Sequence, residues 1–420
     1  MALLTNWAGN VRFRAAALHR PASVGELQRL VARAARIRPL GSGHSFSRIA
    51  DTSGDLVSLA GLPRQVRIDP AARAVTVSAG LRYSDFAPEL TAAGLALANL
   101  ASLPHISVAG AVATGTHGSG VANASLAASA SALELVSGTG ELVRFSREHD
   151  PGRFPGLVVA LGSAGIVTSL TLDTVVAFTV RQWVYEDVPS DQIAANFDEV
   201  AAAAYSVSVF TGWDERRRDR VWLKRTGPGG PPPDRWLGGR LADGPRHPVP
   251  GLPARFATAQ LGEPGPWHER LPHFRPDFVP SAGEELQSEL LVDRAHAPAA
   301  LAALDGLRAQ IAPLLLIAEI RTVAADDLWL SPAYQRPTVA FHFTWVPDPA
   351  AVAPVLTAVE AALAPLDPRP HWGKLTTLPP AIVAASYPRM GDFRRLTAEL
   401  DPDGTFRNEF TDAYLHPDGQ

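Results

Sequence analysis

The sequence predicts a two-domain α+β protein, on three observations. The chain has 420 residues, more than one hydrophobic core ordinarily serves. Its first third mixes short helical stretches with paired β-branched strands. Past Glu285 a strand–helix–strand–strand–helix order appears, which suits an antiparallel sheet flanked by helices on one face. Apolar residues make up 46% and charged residues 19%, the balance of a globular chain and not of a disordered one.

The elements follow in order. Leu27, Leu30, Val31 and Ala34 recur at helical spacing, so residues 24–36 are predicted as helix, followed by a short strand from Ile37 to Leu40. Strands at 65–69 and 74–80 flank a connection suited to a hairpin. Residues 83–95 form a predicted helix with Ser84 as N-cap and Gly94 as its stop. A second hairpin spans 133–145, turning at Ser137 to Gly140, and a β-branched strand covers 165–172. The text changes near Phe178, which puts one domain at 1–178, completed by 379–420, and another at 179–378. The second domain begins with a helix capped by Ser190 and strands at 205–213 and 220–226. Residues 227–282 are so rich in proline and glycine that no regular structure is expected; the segment is a solvated insertion or a lid over a pocket. Strands at 285–292, 314–323 and 338–346 and helices at 297–311 and 348–363 then form the sheet. A helix at 392–400 and a turn at 401–404 end the pattern.

Several function classes are excluded. A net charge of −4 gives no basic footprint for nucleic acid or membrane. The absence of cysteine removes disulfides and thiolate metal sites, and neither His-x-x-x-His nor a short carboxylate cluster offers another metal site. The N-terminus has no basic stretch leading into a long apolar one, and no run of about 18 apolar residues is expected, so the chain is placed in the cytoplasm, without a membrane span.

Two loops carry candidate chemistry. In "RPLGSGHSFS" a strand runs into Gly41, Ser42 and Gly43, then His44, which on the glycines alone suits a phosphate-site bystander, a metal ligand or a base. The third glycine of a nicotinamide-dinucleotide fingerprint is missing and no clean helix opens after it. The segment "ASLPHISVAGAVATGTHGSG", from Ala101 to Gly120, is almost all small residues. Small residues let backbone approach a ligand, and their amides and hydroxyls bind phosphate oxygens. Two such loops suggest a long, phosphate-bearing cofactor lying between them. On the later strands Gln287 with Glu289, Glu319 with Arg321, and His342 with Thr344 each share a face, because side chains alternate along a strand. Such a face is either a satisfied structural network or a floor for a polyol. "RPHWGKL" adds His371, Trp372 and Lys374.

Together "RPLGSGHSFS", "ASLPHISVAGAVATGTHGSG", "LGSAGIVTSLTL", "ELQSEL", "AEIRTVAAD", "HFTWV" and "RPHWGK", with "NWAGN" near the start, resemble the vanillyl-alcohol-oxidase type of flavoprotein, and within it the bacterial alditol oxidases. The resemblance runs over essentially the whole chain. It implies the two-domain FAD-linked oxidase fold, an α+β FAD-binding domain under a substrate domain, with FAD held covalently by His44. Pro39, Leu40, Gly41, Ser42, Gly43, Ser45, Ser102, Ser107, Gly110, Thr114, Gly115, Thr116 and His117 would hold the cofactor, with Val167 at its adenine or ribose end and His371 near the flavin. Substrate contacts fall to Ser102, Gln287, Glu319, Arg321, Thr344 and Lys374, with Arg321, Lys374 and Glu319 catalytic and Glu319 also holding Arg321 in place. The implied reaction is oxidation of the terminal hydroxyl of alditols such as xylitol and sorbitol, with O2 reduced to H2O2. The expected partners are a small polyol and O2, with a monomeric chain and no metal. A sugar-1,4-lactone oxidase or dehydrogenase on the same fold, and a flavin- or carbohydrate-binding protein without turnover, are the alternatives.

Overall fold

A computed structural model describes residues 4–277 and 284–416. The end of the proline-rich segment, 278–282, and positions 1–3 and 417–420 of the expected first domain lie outside them.

The first region is built from two larger sheets and a two-stranded antiparallel pair, Leu95–Ala96 with Val175–Val176. Ala17–His19, Asp55–Ser58 and Ile37–Leu40 pair in parallel, with Asp55–Ser58 in the middle. Val66–Asp69, Ala74–Ser78, Ile166–Asp173, Ala130–Val136 and Leu142–Ser146 form an antiparallel sheet in that spatial order. Both expected hairpins are present, closed by Asp69 opposite Ala74 and Val136 opposite Leu142. The first helix, Val24–Val31, stops short of residue 36; Ser23 caps it, and its Leu27 and Val31 are buried. Ser84 lies inside the next helix, Tyr83–Ala92. Arg82 is the cap, because the Asp85 carboxylate accepts from its backbone N–H.

The second region is one antiparallel sheet of ten strands among the described residues. Its centre runs Arg218–Thr226, Ser206–Thr211, Leu315–Val323, Thr338–Trp345, Leu286–Asp293. Helices Ala297–Asp305 and Pro349–Leu363 share a core with these strands through Ala297, Ala300, Leu304, Val352, Val359, Leu363, Phe341 and Phe343. An unanticipated strand, Thr179–Pro189, pairs with Arg218–Thr226 where the sequence changes character.

Three further expectations are corrected. The helix from Ser190 is two short helices, Ser190–Ala195 and Phe197–Ala202, broken at Asn196, and Ser190 is not their cap. The helix at 297–311 breaks after Asp305. The proline-rich segment does contain regular structure: strands Arg235–Trp236 and Gly239–Leu241 and helix Trp267–Arg270. Those strands hold no proline and lie at the sheet edge, where the ladder tolerates interruption. Helix Pro349–Leu363 and the 3-10 turn Ala364–Leu366 that follows it are together long and apolar enough by length and composition to cross a membrane, with a mean hydropathy of 1.5, although Thr357 and Glu360 interrupt the apolar run. The alanines and valines of the helix raise the average, while its Val352, Val359 and Leu363 pack into the sheet core.

The largest core joins residues 27–180 to residues 383–415 and also takes in Trp267, Leu271, Trp329 and Trp372. Arg38 fastens the C-terminal segment to it. Its buried guanidinium donates to the carbonyls of Gly162, Leu161, Ile49 and Phe406.

Candidate active site

A cavity of about 400 Å³ lies between the two regions and is lined by both glycine-rich loops and by one face of the large sheet. Its first wall is made by close backbone approach. A Cβ on Gly41 would stand 2.4 Å from Ser107 Oγ, and one on Gly110 would stand 2.8 Å from the same atom. Ser42 and Ser107 exchange hydrogen bonds of 3.2 Å between hydroxyl and amide. Pro39, Leu40, Gly43, Ser45, Ser102, Thr114, Thr116, His117 and Val167 also line the cavity. Gly115 is not part of the lining. It has φ +67°, and a Cβ there would meet Pro332, so this glycine serves the turn.

"NWAGN" is a clamp on the His44 loop. Asn6 donates to the Ser45 carbonyl at 2.9 Å, Trp7 N–H to Gly43 O at 2.8 Å, and Asn10 to Phe46 O at 2.9 Å. The Trp7 ring stacks on His44 at 5.3 Å. His44 Nδ1 is buried without a hydrogen-bond partner, and burial pushes the imidazole down to about 4, so its ring is neutral at ordinary pH.

The second wall is made by register. Glu289, His342 and Glu319 stand in one row across three neighbouring strands, and Gln287 stands beside Thr344 in the next. Arg321 Nη2 donates to Glu289 Oε1 at 2.6 Å and Nη1 to Ser102 Oγ at 3.3 Å. Its distance to Glu319 is longer, 3.6 Å from Nε to Oε2. Glu289 therefore makes the direct hydrogen bond to the guanidinium, and Glu319 adds a second negative charge at ion-pair distance. His117 Nε2 lies 3.2 Å from Glu289 Oε1. Although burial works against them, Arg321 and His117 hold Glu289, and Arg321 and His273 hold Glu319, well below the usual carboxylate range.

Segment 369–375 brings the last groups. His371 N–H donates to Glu289 O and Leu375 N–H to Gln287 O, so the segment runs along the Leu286–Asp293 strand. Phe46 N–H donates to Gly373 O at 2.7 Å, joining this segment to the His44 loop. Lys374 Nζ donates to Gln287 Oε1 and lies 5.2 Å from the Phe46 ring. Burial pushes Lys374 down to about 8. His371 lines the cavity with its Nδ1 accepting from Gly373 N–H at 3.0 Å, whereas Trp372 turns away into the core and stacks on Tyr387.

Four groups of this network lie outside the expected site residues: Glu289, His342, His273 and Lys224. Glu289 was visible as the face-mate of Gln287. His273 comes from the proline-rich segment, where no periodicity marks it. Together with His247, Val249, Leu252 and Phe274 it makes that segment a rim of the cavity. Burial pushes Lys224 down to about 7.

The residues fit FAD. The glycine cradle leaves no room for a Cβ, the hydroxyls and amides at Ser42 and Ser107 suit a pyrophosphate, and His44, whose buried Nδ1 has no hydrogen-bond partner, lines the cavity.

Comparisons with known proteins give the family and the fold. Residues 15–146 match the family model described as FAD binding domain, and residues 284–414 match that of D-arabinono-1,4-lactone oxidase. The chain is 52% identical to an alditol oxidase from Streptomyces sp. over 97% of each chain. It is 28% identical to an L-gulono-1,4-lactone dehydrogenase of Mycobacterium tuberculosis, over 98% of this chain and 99% of that one. Among solved structures, a cholesterol oxidase from B. sterolicum superposes with a TM-score of 0.79 at 16% identity, covering 98% of this chain and 96% of that one, which shows the shared fold. The chain therefore belongs to the alditol oxidase family of FAD-dependent oxidoreductases, with the two-domain FAD-linked oxidase fold.

Proposed function

We propose that the protein oxidises the terminal C1 hydroxyl of alditols such as xylitol and sorbitol to the aldose, with O2 reduced to H2O2. Residues 1–178 with 379–420 bind FAD, covalently through His44, and residues 179–378 carry the substrate. The observation that carries this reading is the second wall: Ser102, Gln287, Glu319, Arg321, Thr344 and Lys374 all line the cavity that the His44 loop also lines. A wall of hydroxyl, amide, carboxylate and cationic groups matches a chain of hydroxyls, and it rejects analogues that would leave those groups unpaired. The chemistry FAD supplies when bound is a two-electron oxidation, with hydride taken from C1 at N5 and the electrons passed to O2.

The chain's own groups manage the proton. Arg321, whose pKa is raised by Glu319 and Glu289 against the effect of burial, stays charged throughout and stabilises alkoxide character at the C1 oxygen. Lys374 is the group that titrates, and its neutral amine accepts the hydroxyl proton. Glu319, Gln287, Thr344 and Ser102 bind the remaining hydroxyls. The match of residues 284–414 to the lactone-oxidase model favours a sugar-1,4-lactone as the second reading.

The purified protein should stay yellow after acid precipitation and release peroxide with xylitol. A colourless pellet with FAD in the supernatant would refute covalent attachment, and peroxide from lactones alone would select the second reading.

A further inference from the structure

Behind Glu319 lies a buried chain of hydrogen bonds whose other members, His273 and Lys224, fall outside both family-matched segments. His273 Nε2 is 2.7 Å from Glu319 Oε1. On its other side His273 Nδ1 is 3.2 Å from Lys224 Nζ. Lys224 also donates to the carbonyls of Leu271 and Pro272. An ammonium has three protons and no acceptor, and here it meets three acceptors, two carbonyls and Nδ1. The ammonium form of Lys224 thus leaves the lone pair on Nδ1, and the acceptor-only carboxylate of Glu319 on the other side asks for the same tautomer, with the proton of a neutral imidazole on Nε2.

The rest of the surroundings keeps this ring in place. Phe210 and Trp222 stand edge-on to it, each at 5.3 Å. Ser208 Oγ lies 3.3 Å from Nε2. The backbone amides of His273 and Phe274 both donate to Ser102 O, at 3.1 and 3.3 Å. The charged groups facing His273 are Lys224 from one strand and Glu319 and Arg321 from another, and burial, aided by Lys224, keeps the imidazole neutral, down at about 4. Arg321 is 3.6 Å from the other oxygen of Glu319, too far to orient it alone.

We propose that Lys224 and His273 are positioning residues for substrate binding: Lys224 fixes the His273 tautomer whose Nε2–H donates to Glu319, and this bond holds the carboxylate in the orientation that receives the polyol hydroxyls. The proposal rests on the reading of Glu319 as a polyol-binding group. It also gives the rim segment a function, since one residue of it reaches both the substrate carboxylate and, through its backbone, the Ser102 loop.

The test is steady-state kinetics with xylitol on the flavin-loaded protein, comparing His273→Asn, His273→Gln, Lys224→Met, Glu319→Gln and the double variant His273→Asn/Glu319→Gln. Asn places its amide near the Nδ1 position and loses the donor to Glu319, so KM should rise about tenfold or more, with kcat less affected and the flavin spectrum unchanged. Gln keeps an N–H near the Nε2 position and should bring KM back to within about threefold of the unsubstituted protein. Lys224→Met should move KM in the same direction as His273→Asn. The double variant should be no worse than Glu319→Gln alone, because both changes break one linkage. Equal losses for Asn and Gln, or losses that multiply in the double variant, would overturn the positioning role. A normal KM for Glu319→Gln would remove the polyol reading beneath it, whereas a raised KM there beside a normal one for His273→Asn would remove the positioning role alone.

Discussion

Gly41 and Ser107 meet where a single added carbon would collide, whereas Glu289 and Arg321 meet as long charged side chains projecting from two strands. The two walls of one cavity thus obey different rules. The wall proposed to hold the cofactor works by absence: small residues bring amides and hydroxyls close, and added volume is what it cannot accept. The wall proposed to hold the substrate works by presence: groups on three strands are set in rows by register, and lost polar atoms are what it cannot accept. Its charges are buried, so each depends on its partner, and removing one leaves the other uncompensated.

Lys374→Ala should produce the largest effect on the substrate wall, a fall in kcat of about 10²–10⁴-fold with the flavin spectrum unchanged. Near-normal turnover would take Lys374 out of the mechanism. The pH profile sharpens the point. Burial lowers the Lys374 pKa to about 8, so the neutral, proton-accepting form predominates above that value and kcat/KM should rise with pH through it. A profile that falls there instead would make Lys374 the cation that stabilises the alkoxide.

On the cofactor wall, Gly41→Ala should cost about 1–3 kcal/mol through overpacking against Ser107, read as a lower melting temperature and poorer FAD loading. Adding Ser107→Ala removes the struck hydroxyl and should recover part of that loss. No recovery would mean that Gly41 is needed for a reason other than space. The smallest effect expected is that of Thr344→Val, a rise in xylitol KM of roughly tenfold at most with kcat nearly unchanged, the cost of one hydrogen bond. An equal loss in kcat would shift Thr344 from binding to the transition state.

The same contrast explains what the sequence disclosed. The cofactor wall was legible because its signal is local: the residues around Gly41 and those from Ser102 to His117 are each contiguous, and such runs of small residues have few other uses. Gly115 shows the limit of that signal, since its φ of +67° serves a turn, and a glycine serving a turn looks the same in sequence as one serving a ligand. The substrate wall was legible by alternation within each strand, which paired Glu319 with Arg321 and Gln287 with Glu289. Alternation says nothing about which strands are neighbours. Only the register of Glu289, His342 and Glu319 shows that Arg321 reaches the carboxylate two strands away more closely than the one two residues away. Lys224 and His273 were out of reach because a buried lysine in a strand and a histidine among prolines carry no pattern until the fold joins them. The break at Asn196 and the short edge strands at Arg235–Trp236 and Gly239–Leu241 were likewise decided by packing and not by local preference.

The central claim is that the substrate wall presents the C1 carbon of an alditol to FAD. Anaerobic mixing of the yellow protein with xylitol, unlabelled or deuterated at its terminal carbons, tests it most directly. The account predicts bleaching of the flavin absorbance by xylitol, slowed several-fold by the deuterium. A flavin that xylitol leaves oxidised, while a sugar lactone bleaches it, would contradict the account.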